Sequence, residues 1–119
     1  MLHARRALLA FSTARLRTDQ HHALIARVLV GEVPLGEALV DGGAKIVIAD
    51  SNLNGLASAV ANLAVVDVAR ALAGKPALLG YVATGLLPRA VVVEPGNVTL
   101  LVSDQKSGEL QALRIADLP

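Results

Sequence analysis

A chain of 119 residues is one domain by size, and without cysteine it has no disulfide, no thiolate metal ligand and no cysteine nucleophile. Its residues are 54% hydrophobic but only 2% aromatic, Phe11 and Tyr81, so the core must be aliphatic and no aromatic platform exists for stacking bases. The net charge is +1, yet Arg5, Arg6, Arg15 and Arg17 precede the first acid, Asp19, which makes the opening segment +4 and the remainder −3. A basic arm on a mildly acidic body points to an arm that contacts something else. No apolar run reaches the roughly 18–20 residues that span a bilayer, since Asp67, Arg70 and Lys75 interrupt the longest candidate.

Residues 1–18 are rich in Ala, Leu and Arg and free of Gly and Pro. The pattern allows a helix and also matches an Arg-rich, acid-free targeting segment, while a solvated terminal arm is the plainer expectation. Residues 1–22 are therefore expected as a basic arm and 23–119 as one β-rich domain. His21 and His22 are adjacent, so their side chains diverge on a strand or helix and make a poor metal pair.

From Ala23 the punctuation becomes regular. Leu24 to Val30, Leu35 to Val40 and Ala44 to Ala49 are apolar runs separated by Gly31-Glu32-Val33-Pro34 and Asp41-Gly42-Gly43. Asp-Gly between two β-compatible runs predicts a hairpin. Asp50, Asn52, Asn54 and Gly55 match the first half of a calcium loop, but the twelfth position, where a bidentate acid belongs, is Ala61. A loop in which Asp and Asn bond their own backbone is the expectation. No metal and no cofactor is predicted.

Residues 62–85 flank the turn Gly74-Lys75-Pro76, and periodicity alone leaves helix or strand open for 63–72. The neighbours favour a short helical turn feeding a strand, with room for one short helix near 55–64. Beyond Gly85, the segments 89–94, 98–103 and 109–115 alternate with Pro95-Gly96-Asn97 and a reversal at 104–108, which reads as a meander. The expected fold is mainly β, a small sandwich or barrel of short hairpins.

Over roughly residues 31–110 the order of these pieces resembles small structural proteins of tailed bacteriophages, the capsid decoration (cement) and head-fibre proteins. The likeness rests on Gly31-Glu32-Val33-Pro34-Leu35, on Lys45 to Asp50 with Asn52, on Ala73-Gly74-Lys75-Pro76 with Tyr81 and Gly85, and on Pro95-Gly96-Asn97-Val98 to Ser103 with Gly108. The resemblance implies a non-enzymatic protein on the outside of a virion capsid, soluble in the host cytoplasm before assembly. Its implied partners are the major capsid protein or another head protein and copies of itself, with a trimer favoured. Neither a membrane nor a specific nucleic acid is implied. The guanidinium groups of Arg5, Arg6, Arg15 and Arg17 are the candidates for pairing with acidic shell surface.

Two other classes fit parts of the sequence. A hydrolase would have to draw on Asp50, Asp67 and Asp104, and the chain has no G-x-S-x-G elbow and no phosphate-binding glycine loop. A small α/β binding domain would use Ala38-Leu39 as the end of a helix leading into the strand at 44–49, as in ribosomal RNA-binding proteins of the L30e/L7Ae type. The Asn-Glu pair with which that family contacts RNA is absent, because Val33 and Pro34 stand near its place.

Overall fold

A computed structural model describes residues 6–119. Nine strands of the described residues form three antiparallel sheets: β1 (Ala7–Phe11) with β2 (Leu24–Leu29); β3 (Pro34–Val40), β4 (Lys45–Asp50), β5 (Asn62–Asp67) and β6 (Leu78–Ala83) in that order; and β7 (Pro88–Val93), β8 (Thr99–Asp104) and β9 (Glu109–Arg114). With 47% of residues in strands and 18% helical, the fold is mainly β, as its short apolar runs and Gly-bearing turns predict. Two short helices, α1 (Thr13–Thr18) and α2 (Val68–Leu72), follow β1 and β5.

The three sheets stack as layers, with the four-stranded sheet in the middle. Alternation along its central strands sends one set of side chains to each neighbour. Val47, Ala49, Leu63 and Val65 meet Leu100 and Val102 of the third sheet; Ile48, Ala64 and Val66 meet Leu8 and Val28 of the β1–β2 ribbon. A sheet covered on both faces needs apolar residues at every position, and this explains the continuous runs at 46–49 and 63–66 that defeat periodicity. Both aromatic side chains stay outside the core: Phe11 is 47% and Tyr81 50% exposed.

Several expectations change. Residues 7–11 form a strand rather than helix or free arm, because Leu8 and Ala10 face the middle sheet and the backbone pairs with β2 from Ala7↔Leu29 to Phe11↔Leu24. The stretch 55–64 holds no helix; the short helix is at Val68–Leu72, between β5 and β6, where a short helical turn leading into a strand is expected within 63–72. Asp67 fixes that boundary by accepting the Arg70 N–H at 2.9 Å as the N-cap.

The fold is also a tandem duplication, which the sequence conceals. The order strand, helix, three strands occurs as β1-α1-β2-β3-β4 and again as β5-α2-β6-β7-β8. Pairing of β5 with β6, from Asn62↔Ala83 to Val66↔Leu78, repeats that of β1 with β2 residue for residue, including one register shift before the last pair. Ser12 and Asp67 cap the two helices through the N–H three residues on, and their own N–H groups donate to Ala23 and Ala77, at 2.8 and 2.9 Å. The β3–β4 and β7–β8 hairpins share a shift after Pro34 and Pro88. Then β9 repeats β5 by pairing with the strand before it. Each repeat thus completes the sheet begun by its predecessor.

Candidate interaction surface

Each repeat turns on a buried aspartate. Asp50 Oδ2 accepts the Gly31 N–H at 2.8 Å and Asp104 Oδ2 accepts the Gly85 N–H at 3.0 Å, both across nineteen residues. A Cβ on Gly31 or Gly85 would sit 2.6 or 2.9 Å from that oxygen, so only glycine lets the backbone come this close. Next to these bonds, Val33 and Leu87 take positive φ values of 50° and 59°, and their carbonyls accept the N–H groups of Ser51 and Gln105. Burial raises the Asp50 carboxyl to about 6, and the Gly31 hydrogen bond opposes that rise.

The structure also shows what each acidic residue raised for metal or catalysis contacts. Asp50 closes β4, while the Asn52 amide braces its own loop, donating to Leu56 O and Ala59 O and accepting the Leu56 N–H at 3.1 Å. Asn54 is exposed. The side chains of the calcium-like motif therefore do not converge on one point. Among the described residues no three His, Asp or Glu side chains gather as a ligand set, and His22 instead bonds Asp19 at 2.8 Å through Nδ1. Asp67 caps α2, so each of Asp50, Asp67 and Asp104 accepts one backbone N–H, while Asp50 Oδ1 and Asp104 Oδ1 are buried with no hydrogen-bond partner among the described residues. Ala38 and Leu39 lie in β3, where the α/β reading needs a helix.

The four arginines do not form one patch. Arg5 lies outside the described residues. Arg6, half exposed, pairs with the buried Glu32 in the segment between β2 and β3. Arg15 and Arg17 lie in α1, on the far side of β1, a strand of about 16 Å at the usual rise, and both are exposed. Arg15 also donates to the His22 carbonyl at 3.4 Å. Sequence reasoning missed the apolar residues that share this end of the molecule. Leu9 and Phe11 are exposed on the outward face of the ribbon toward α1, Arg27 lies opposite Leu9, and exposed Leu29 lies opposite Ala7 at the other end of the same face. A second exposed group, Leu53, Leu56 and Val60, lies in the loop 51–61, which in the second repeat is only the turn 105–108.

No helix of the described residues is long and apolar enough to cross a membrane. No protein-family model matches this chain, and no curated protein is similar to it.

Proposed function

We propose that this chain is a non-enzymatic virion structural protein that decorates or cements the capsid of a tailed bacteriophage. The observation that carries the reading is the outward ribbon face, where Leu9, Phe11 and Leu29 stand exposed around Arg27 and continue into α1 with Arg15 and Arg17. An apolar centre with a guanidinium rim suits a protein partner with acidic edges. Of the segments that carry the resemblance, Pro34 opens β3, Lys45–Asp50 is a central strand, Gly74 to Pro76 reverses the chain before β6, and Gly96-Asn97 turns β7 into β8. A cement protein bound across subunit seams stabilises the assembled shell and not its free subunits. Weak contacts gain from multivalency if copies associate, as in the favoured trimer.

The test is co-sedimentation with shells of the major capsid protein encoded alongside this chain, at low and at high salt. Binding should saturate at a fixed ratio to shell subunits. Arg15→Glu with Arg17→Glu should weaken it at least tenfold in low salt, and unchanged binding would remove α1 from the interface. Absence of any binding would sink the decoration reading.

A further inference from the structure

The duplication shows what one edge of the ribbon lacks. Strand β5 carries β4 on one side and β6 on the other, and β9 carries β8 on the side that corresponds to β4. Strand β1 is the counterpart of both, yet among the described residues it pairs only with β2. The Arg6 carbonyl accepts the Val30 N–H at 2.7 Å and the Ser12 N–H donates to the Ala23 carbonyl at 2.8 Å, both on the β2 side. Alternation between these points turns the N–H and carbonyl groups of Ala7 and Leu9 to the open edge. A row of such groups is a template for a further strand.

A groove runs along that edge. One cavity of about 240 Å³ lies between Ala7 to Leu9 on β1 and Leu35 to Glu37 on β3, and a second of about 170 Å³ continues it past Ala10 and Leu39. Ala38 and Val40 face the third sheet, and Gly36 lies there so close to Arg89 that a Cβ would run into its carbonyl oxygen. Alternation therefore turns Leu35, Glu37 and Leu39 into the groove, where the two leucines are 46% and 59% exposed. Glu37 is the one charged side chain lining either cavity, and it lies level with Leu8 and Leu9, which line both as it does. Among the described residues its carboxylate has no ion-pair partner. A folded copy of this chain does not fit here. Strand β3 projects past β1 and already fills the layer below, whereas every edge strand of a second copy would bring a packed layer of its own.

We propose that the open edge of β1 binds a lone extended segment of another protein as an antiparallel strand, with a Lys or Arg on its inner face to meet Glu37 and apolar side chains on either side over Leu35 and Leu39. Main-chain bonds to Ala7 and Leu9 supply the affinity, and the alternate side chains in the groove supply the specificity. This goes beyond the decoration reading and does not depend on it.

The probe is a peptide with blocked ends, Thr-Val-Thr-Lys-Thr-Val, whose Lys pairs with Leu8 and whose two Val side chains fall on the same inner face. Titrated into the full chain and followed by NMR, it should saturate with a Kd below about 1 mM and slow amide exchange at Ala7 and Leu9 about tenfold. Methylating the peptide nitrogens of its second and third Thr, which face Leu9 and Ala7, should abolish binding while the protein stays unaltered. Replacing the peptide Lys by Glu should weaken binding about tenfold, and the Glu37→Lys chain should reverse that preference. No saturation, equal binding of the methylated peptide, or an unreversed preference would each overturn the proposal. So would Ala7 and Leu9 amides already protected without peptide, because the edge would then be held by this chain or by a second copy.

Discussion

The first repeat and the second have one backbone plan and different surroundings, and the difference shows which residues the plan itself requires. Both keep the Gly–Asp bond, the proline after a positive-φ residue and the capped helical turn. They diverge in how deeply each layer is covered. Leu63 of β5 is fully buried between sheets, whereas its counterpart Leu8 of β1 is half-buried at the edge of the stack. What the plan specifies is hydrogen bonding; what position in the stack specifies is side-chain size and polarity.

The sharpest way to break that comparison is at the crossing of β3 and β7. Gly36→Val, which drives a side chain into the Arg89 carbonyl, should cost more than about 3 kcal/mol, while Ala90→Gly at the corresponding position should cost under about 1 kcal/mol. Urea unfolding of both variants decides it, and equal losses would mean that the close approach at Gly36 is not specific to that repeat. Next in size is the core pair: Leu63→Ala should destabilise by about 3 kcal/mol, and Leu8→Ala by roughly half as much given its partial exposure.

Asp50 should make the stability of the fold depend on pH. The folded Asp50 carboxyl, at about 6 against an ordinary 3.8, binds its proton more tightly in the folded chain than in the unfolded one. Its contribution is therefore complete below about pH 4 and is lost as pH rises through 6, which amounts to about 2–3 kcal/mol between pH 4 and pH 8. Asp50→Asn keeps an oxygen for the Gly31 N–H and should flatten the profile over that window. A carbon-13 titration that places this carboxyl below 4.5 would reject the assignment. The smallest effects belong to the caps. Asp67→Ala and Ser12→Ala should each cost about 1 kcal/mol or less, with Asp67 the larger because its bond is 2.9 Å against 3.2 Å.

The strands and turns from residue 24 onward were legible in the sequence because Asp-Gly, Pro-Gly and β-branched runs act locally. Residues 63–67 were not, since a strand buried on both faces carries no period of its own, and residues 7–11 were not, because Leu9 and Phe11 on the exposed face are as apolar as Leu8 on the covered one. The duplication was hidden because few residues are constrained by it. Gly31, Pro34 and Asp50 recur as Gly85, Pro88 and Asp104 at the same spacing, and that Gly-x-x-Pro…Asp spacing is the one signal that would have revealed it. The arginine arm was legible as charge but not as place: Arg6, itself exposed, is paired with buried Glu32 in the segment between β2 and β3. Apolar surface on the ribbon carries no pattern that distinguishes it from core.

The exclusion of both aromatic rings from the core has a practical consequence. With one tyrosine, half in solvent, and no tryptophan, the folded and unfolded chains present nearly the same chromophore to the same medium. Intrinsic fluorescence and near-ultraviolet absorbance will be close to silent during unfolding, and concentrations taken at 280 nm will carry large errors. Any report of folding must come from the peptide backbone or from amide exchange, and any optical change at Tyr81 reports instead on what has docked beside β6.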